Sequence, residues 1–279
     1  MSRKRTAYLG PPGTFTEEAT IRYDEKAQLL PFLSISAVVA AVDTGIAEEG
    51  MVPIENSLEG SVTETLDLLI HDSKLLIRQE LVLPIEHHLL VKPDIEALEV
   101  SIIFSHPQAL GQCRRFLERC FPKAQIVAAL STAAAVEQMM SSSTPAAAIA
   151  TQRAAILHGA KVLARDIQDR SPNVTRFVVL ALKDHPATGR DRTSICFSFD
   201  EDRPGLLCDV LQEFSEYNIN LAKIESRPSK EGLGRYIFLV DLEGHRQDQL
   251  TCDVLDKVQN KTSMFKILGS YPRYEERVQ

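Results

Sequence analysis

Hydroxyl and carboxamide side chains, rather than lysines or cysteines, stand where apolar runs of this chain give way to segments of helical period. Gly10-Pro11-Pro12-Gly13-Thr14-Phe15-Thr16-Glu17 ends the first apolar run, and Thr14 followed by Glu17 has the spacing of a capping box. Ser61 with Glu64 repeats that spacing after Val52-Pro53-Ile54-Glu55-Asn56-Ser57. Ser105-His106-Pro107-Gln108 repeats it with a proline in the first turn, and Ser131-Thr132 opens another helical segment. A helix start offers unpaired N–H groups and the positive end of the helix dipole. Taken singly, each hydroxyl is explained as a cap, because Ser and Thr are favoured caps in any protein. Facing one cleft, they make a receptor for carboxylates or phosphates that needs no lysine cluster.

Other chemistries lack their residues. Gly10 to Thr14 has neither the lysine of a P-loop nor the G-x-G-x-x-G pattern. His87 and His88 are adjacent and would point to opposite faces of a strand, while His71, His106 and His158 stand alone, which speaks against a metal centre. His106 remains a secondary candidate as a proton carrier. No G-x-S-x-G elbow occurs, and no cysteine sits in a nucleophile context. The five cysteines form no C-x-x-C pair and read as buried thiols of a reduced compartment, which places the protein in the cytoplasm. A net charge of −7 with interleaved signs leaves no basic face for nucleic acid. The basic start Met1-Ser2-Arg3-Lys4-Arg5 is cut off by Gly10-Pro11-Pro12-Gly13 before a signal-peptide core develops, and no 18-residue apolar run exists for a membrane span. In Ser171-Pro172-Asn173-Val174-Thr175-Arg176-Phe177, Thr175 and Arg176 read on their own as a turn hydroxyl and a surface guanidinium. Glu225-Ser226-Arg227-Pro228 reads likewise as a charged rim where a strand leaves its sheet.

These residues need a scaffold, and the rest of the pattern supplies one. With 279 residues, 44% hydrophobic and 25% charged, the chain is globular and most simply two domains. Up to about Leu182, apolar runs and helical segments alternate, predicting βα units on a mainly parallel sheet. Strands are expected near 6–9, 28–32, 50–53, 101–104, 125–128, 146–150 and 177–182. Helices are expected over 16–24, 35–44, 63–71, 109–120, 133–142 and 152–157. Residues 75–90 hold two apolar stretches parted by Pro84, a strand pair suited to a crossover between two lobes with Pro84 at an edge or hinge. The ligand cleft would then lie where the lobes meet, beyond the carboxyl ends of the strands. Residues 183–190 are polar and breaker-rich, a linker. Beyond them, strand 194–199, helix 204–217, strands 219–226 and 236–242, helix 250–258 and strand 264–268 give a βαββαβ, ferredoxin-like α+β unit.

Five ordered motifs carry a family resemblance from about Thr6 to Tyr271: Gly10 to Phe15, Val52 to Ser57, Ser105 to Gln112, Ser131-Thr132 and Asn173 to Phe177, with Glu225 to Pro228 as a regulatory signature. Together they resemble prephenate dehydratase in its monofunctional form. The resemblance implies a two-lobed α/β catalytic domain similar to type II periplasmic binding proteins over residues 1–183, hinged near 80–90 and 165–175. A linker at 184–191 and a C-terminal ACT domain over 192–279 would follow. It implies a lyase that converts prephenate to phenylpyruvate in phenylalanine biosynthesis, losing water and carbon dioxide, with no cofactor and no metal. By motif position, Thr175, Asn56, Ser105 and Gln112 are the implied catalytic residues. Thr14, Glu55, Ser57, Thr132, Arg176 and Phe177 are the implied substrate-binding ones. The effector L-phenylalanine would bind Gly205, Leu206, Leu207, Cys208, Glu225, Ser226, Arg227 and Pro228 between paired ACT domains of a homodimer or homotetramer. Leu206 and Cys208 depart from the smaller or β-branched residues of the family pattern. Arogenate dehydratase and a non-catalytic amino-acid sensor are the alternatives, separated by incubation with prephenate or arogenate.

Overall fold

In the computed structural model, which describes residues 3–201, 203–230 and 234–275, the βα alternation begins as β1 (Arg5–Leu9), α1 (Phe15–Tyr23), β2 (Gln28–Phe32), α2 (Ile35–Asp43) and β3 (Glu49–Asn56). A two-residue strand β4 (Gly60–Ser61), helix α3 (Thr63–Asp67), a π turn at Leu68–Asp72 and β5 (Leu76–Pro84) follow. Next come β6 (His88–Val91), a short 3-10 turn at Ala97–Glu99, β7 (Ile102–Ser105), α4 (Pro107–Gln112), α5 (Arg114–Cys120) and β8 (Gln125–Ala128). Then α6 (Thr132–Ser141), β9 (Ala146–Ala150), α7 (Gln152–His158), β10 (Lys161–Ala164) and β11 (Val174–Ala181) complete this part. Met1 and Ser2 of the basic start lie outside the described residues.

The strands form two mixed sheets. One has the order β2-β1-β3-β11-β5 with β4 on β3; the other has β10-β6-β9-β7-β8. Residues 85–87 and 165–173 carry the chain from one sheet to the other and back, and β5, ending at Pro84, is an edge strand as the proline requires. Strand β9 is buried along its whole length. Its alternate residues serve two cores: Ala147 and Ile149 pack with Ile103 and Leu117, whereas Ala146, Ala148 and Ala150 pack with Val136 and Met139. Small side chains let covering layers approach both faces of this central strand.

Several expectations are corrected. The helix expected over 63–71 is α for one turn only and then widens into the π turn, closed by Ser73 N–H donating to Leu68 O (2.8 Å). The helix expected over 109–120 breaks at Cys113 into α4 and α5. Strand β10 was not among the expected strands. Only Cys113 and Cys196 are buried, their thiols pushed up to about 12 chiefly by burial; Cys120, Cys208 and Cys252 are exposed.

The C-terminal part runs β12 (Asp191–Ser198), α8 (Leu206–Glu216), β13 (Leu221–Pro228), β14 (Tyr236–Glu243), α9 (Gln249–Asn260) and β15 (Met264–Pro272). Its antiparallel sheet has the order β13-β14-β12-β15, a ferredoxin-like topology. Ile195, Phe197, Val240 and Leu242 from the sheet close on Val210 and Phe214 of α8 and on Val254 and Val258 of α9. Burying side chains of this kind contributes about 1.5–3 kcal/mol each.

Contacts group the chain into two compact units: the chain up to Val38 with Met51–Val62 and Val82–Phe177, and Val39–Gly50 with Thr63–Leu81 and the chain from Val178 onward. In the second unit the antiparallel sheet is bound to β5 and to the helical segment 63–72. Arg192 pairs with Glu80 (2.8 Å), whose side chain is 2% exposed. Lys266 donates to the carbonyls of Leu69 (2.6 Å), Ile70 (3.1 Å) and Ser73 (2.8 Å) around the π turn. Gly269 is fixed as glycine, because a Cβ there would overlap the main chain of Ile77. Among the described residues, no helix is long and apolar enough to cross a membrane.

Candidate active site

The candidate site lies wholly within the first unit, in a cavity of about 450 Å3. Helix α1 reaches it through Thr14, whose Oγ1 accepts from Glu17 N–H (3.3 Å). Glu17 reaches back to the N–H of Gly13 (2.8 Å), one residue earlier than a standard box. Gly13 has a φ of +90°, and a Cβ on it would sit 3.2 Å from Ala154 Cβ and 3.4 Å from Ala133 Cβ, so only glycine lets this loop dock there. Thr151, the cap of α7, secures the same loop by donating from Oγ1 to Gly13 O (2.7 Å). Helix α6 starts at the cavity with Ser131 as its cap, accepting from Ala134 N–H (3.0 Å), followed by Thr132. At α4, His106 is the cap and Pro107 the first helical residue.

Three of the expected helix starts therefore border one cavity, through Thr14, His106 and Ser131. The fourth does not. Ser61 lies in β4, paired with Glu55, and does not line this cavity. Ser105 is not a cap: it is fully buried at the end of β7, and its hydroxyl donates to Ile149 O (2.7 Å).

A carboxamide and hydroxyl network forms the opposite wall. Asn56, at the end of β3, accepts on Oδ1 from the N–H groups of Leu58 (2.9 Å) and Glu59 (3.0 Å). Main-chain N–H groups can only donate, so the Asn56 NH2 must face the other way. There it meets Thr175 Oγ1 (2.8 Å), Asn173 Oδ1 (2.9 Å) and Val174 O (3.2 Å). Thr175 thus accepts from Asn56, and its own hydroxyl proton has no protein acceptor among the described residues. Thr175 is 8% exposed and lines the cavity. Gln112 closes the network, accepting on Oε1 from Asn173 Nδ2 (2.9 Å) and bonded there to His87 Nε2 (2.9 Å).

Of the residues expected to serve the site, Thr14, Asn56, Gln112, Thr132, Thr175 and Phe177 line this cavity. Ser105, Glu55, Ser57 and Arg176 do not. Arg176 lies 3.7 Å from Glu55, and Ser57 Oγ accepts from Val174 N–H (3.0 Å), fastening the start of β11. Sequence reasoning gave no role to Asn173, His87 or Thr151, because nothing in their spacing reports bonds made across the fold. His87 and His88 do diverge: His87 lines the cavity, and His88 stands with exposed Glu86 and Asp166, their ligand atoms within 4.8 Å of one another. A larger open groove of about 820 Å3 shares Gln108 and Gln112 but reaches none of Thr14, Asn56 and Thr175, so the smaller cavity is the better chemical candidate. Among the described residues, no lysine or arginine lines it.

In the second unit, Gly205, Leu206, Leu207 and Cys208 line a separate cavity of about 210 Å3 with Phe199, Tyr236 and Phe238. Glu225, Ser226, Arg227 and Pro228 lie on β13 and do not reach it. Arg227 instead pairs with Asp67 (3.0 Å), which also holds Lys230 (2.7 Å). Burial pulls the Asp67 carboxyl upward, but Lys230 and Arg227 outweigh it and hold the group below the ordinary carboxylate range.

Residues 6–185 match the family model of prephenate dehydratase, and residues 201–259 match that of the ACT domain. A bifunctional chorismate mutase/prephenate dehydratase of Aquifex aeolicus is 42% identical, covering 96% of this chain and 74% of that protein. A prephenate dehydratase of Bacillus subtilis is 36% identical, covering 97% of this chain and 99% of that one. A crystal structure of prephenate dehydratase in complex with L-Phe from Arthrobacter aurescens is similar with a TM-score of 0.89 at 35% identity, covering 96% of this chain and 90% of the other.

Proposed function

The chain belongs to the prephenate dehydratase family and carries that activity together with an ACT domain, and we propose how its cavity performs the reaction. Prephenate loses its ring hydroxyl and its ring carboxylate and becomes phenylpyruvate. As the carbon–oxygen bond breaks, its electron pair leaves with the oxygen. The bond to the carboxylate breaks as carbon dioxide forms, and its electron pair completes the aromatic ring. The departing oxygen gathers negative charge and needs a hydrogen bond.

Thr175 supplies it. The observation that carries this reading is the direction of the Asn56 bond: Thr175 Oγ1 accepts from Asn56 Nδ2 at 2.8 Å, which leaves the hydroxyl proton for the departing oxygen. The Asn56 donor also stabilises charge on Oγ1 while that proton is shared. Gln112 and Thr132 position the ring, Phe177 and Phe15 bound its apolar edges, and the open N–H groups at the starts of α1 and α6 hold the carboxylates. Ser105, Glu55, Ser57 and Arg176 support the walls. Thr175→Ala should lower kcat about 100-fold or more while leaving KM within a few-fold. Full turnover of that variant would remove Thr175 from the reaction.

The second unit serves L-phenylalanine as feedback effector. The cavity at Gly205 to Cys208 offers Phe199, Tyr236 and Phe238 to an aromatic side chain and Asp200, Glu201, Arg203 and Arg235 to the charged end of an amino acid, and the separation of Glu225 to Pro228 from it within one chain supports completion by pairing of two ACT domains. A homodimer or homotetramer in the cytoplasm follows, with the catalytic domain ending near 183 and the ACT domain starting near 192.

A further inference from the structure

We propose that His87 is a positioning residue for this reaction: its Nε2–H joins Asn173 Nδ2 in holding the carboxamide oxygen of Gln112, so that the amide nitrogen of Gln112, not its oxygen, is left for the substrate. This rests on the reading of Asn56, Gln112 and Thr175 as site residues given above.

The directions propagate from two main-chain donors. Leu58 and Glu59 fix Asn56 Oδ1, so Asn56 Nδ2 faces Asn173, whose atom there must be Oδ1 (2.9 Å). Asn173 then presents Nδ2 to Gln112, whose atom there must be Oε1 (2.9 Å). That same oxygen lies 2.9 Å from His87 Nε2. Two acceptors cannot bond, so Nε2 carries the proton. Gln112 Nε2 is thereby turned outward, donating one N–H to Glu59 Oε1 (3.3 Å); no bond occupies the other among the described residues.

The far side of the imidazole shows that packing alone does not explain a histidine here. With the proton on Nε2, Nδ1 is a bare acceptor, and it is buried without a partner in a residue only 3% exposed. Such an orphaned atom calls for a reason. A phenyl ring would fill the same space and keep the edge-on contact with Phe15 (5.7 Å between centroids, 76° between planes) without that orphan. The main chain of His87 is held independently, donating to Gln168 Oε1 (3.0 Å) and accepting from Ile167 N–H (2.9 Å). What imidazole adds over phenyl is the Nε2–H. Burial, aided by His88 and opposed by the Gln112 bond, also pushes its protonation below the ordinary histidine range, so the donor is a neutral one.

The test compares His87→Phe, His87→Gln and Gln112→Ala with the double variant His87→Phe/Gln112→Ala, reading kcat and KM for prephenate and the thermal midpoint. His87→Phe is expected to lower kcat/KM about 10- to 100-fold without lowering the midpoint. His87→Gln, which restores an N–H at similar reach, recovers most of it. In the Gln112→Ala background His87→Phe has no further effect. Wild-type kinetics of His87→Phe, failure of His87→Gln to rescue, or an additive double variant overturns the proposal. Loss in Gln112→Ala alongside full activity in His87→Phe refutes this inference alone; full activity in Gln112→Ala refutes the reading of the site beneath it. Should His87→Phe not fold, His87→Met is the donor-free side chain and the same comparison decides.

Discussion

Replacing Asn56 with aspartate changes almost no volume but reverses a direction. Its Oδ1 end, held by the Leu58 and Glu59 N–H groups, is undisturbed. At the other end an oxygen now stands where the NH2 met Thr175 Oγ1, Asn173 Oδ1 and Val174 O, all of them acceptors. Thr175 can relieve the conflict only by turning its own proton toward the new carboxylate, and that proton is the one the departing oxygen needs. Removing one donor aimed at developing negative charge costs about 2.7–4 kcal/mol, or about 100- to 1000-fold in kcat. The expected result for Asn56→Asp is therefore a loss of at least about 100-fold, similar to Thr175→Val, with the double variant no slower than the worse single one. Protonating the introduced carboxyl returns a donor at that position, so the variant should regain activity as pH falls while the wild type does not. Phenylpyruvate formation followed across pH, with an unfolding midpoint to confirm an intact fold, decides it. Near-normal turnover in Asn56→Asp, or losses that multiply in the double variant, would refute the assigned direction.

The other predictions concern stability and regulation. Burial depresses His87 below its ordinary value of 6.5, with His88 adding to this and Gln112 opposing it. The unfolded chain therefore takes up this proton first as pH drops through 6.5, and stability falls by up to about 1.4 kcal/mol per pH unit down to the folded-state value. Above 6.5 the residue contributes no slope. Urea unfolding between pH 7.5 and 5.5 should be flatter for His87→Gln, and parallel curves would contradict this. Asp67→Asn loosens the anchors of Arg227 (3.0 Å) and Lys230 (2.7 Å) beside the proposed effector motif. It should raise the half-inhibiting L-phenylalanine concentration about fivefold or more, the low end of ordinary coupling energies, with uninhibited turnover intact. An unchanged inhibition curve would exclude Asp67 from the coupling.

Much of the scaffold was legible because apolar residues repeat with the period of an element, as on the Ile195-Phe197 face of β12, or run unbroken where a strand is buried on both faces, as in β9. The π turn was not legible, since Leu68-Leu69-Ile70 continues an ordinary helical pattern and only the Ser73 to Leu68 bond reveals the extra residue. Caps were legible where helix and hydroxyl coincide, at Thr14 and Ser131. They failed at Ser105, where spacing alone does not say on which residue the helix begins. Pro107 starts α4 late enough that His106 becomes the cap. Thr175, which its neighbours mark as a turn hydroxyl, gains meaning only from Asn56, 119 positions away. Asn173 and His87 enter through the same network, which closes only once the chain has crossed between its two α/β sheets and returned.

A cavity lined, among the described residues, without lysine or arginine fits the chemistry better than a cluster of cations would. The substrate carries two carboxylates, and a guanidinium clamped on the ring carboxylate would stabilise the reactant, because that charge vanishes as carbon dioxide forms. Negative charge moves during the reaction from the carboxylate to the departing oxygen. Donors that favour the transition state more than the reactant must therefore gather at the oxygen end, where Thr175 and Asn56 stand, while the carboxylate end needs only enough attraction to orient it. Helix N-termini, each equivalent to roughly half a positive charge, meet that weaker requirement. They also remain fixed when the charge leaves, since their direction is set by α1 and α6 rather than by a mobile side chain. In a protein of net charge −7, retaining a dianion with such modest attraction depends on geometry more than on field, which is why the direction of each amide in the network matters.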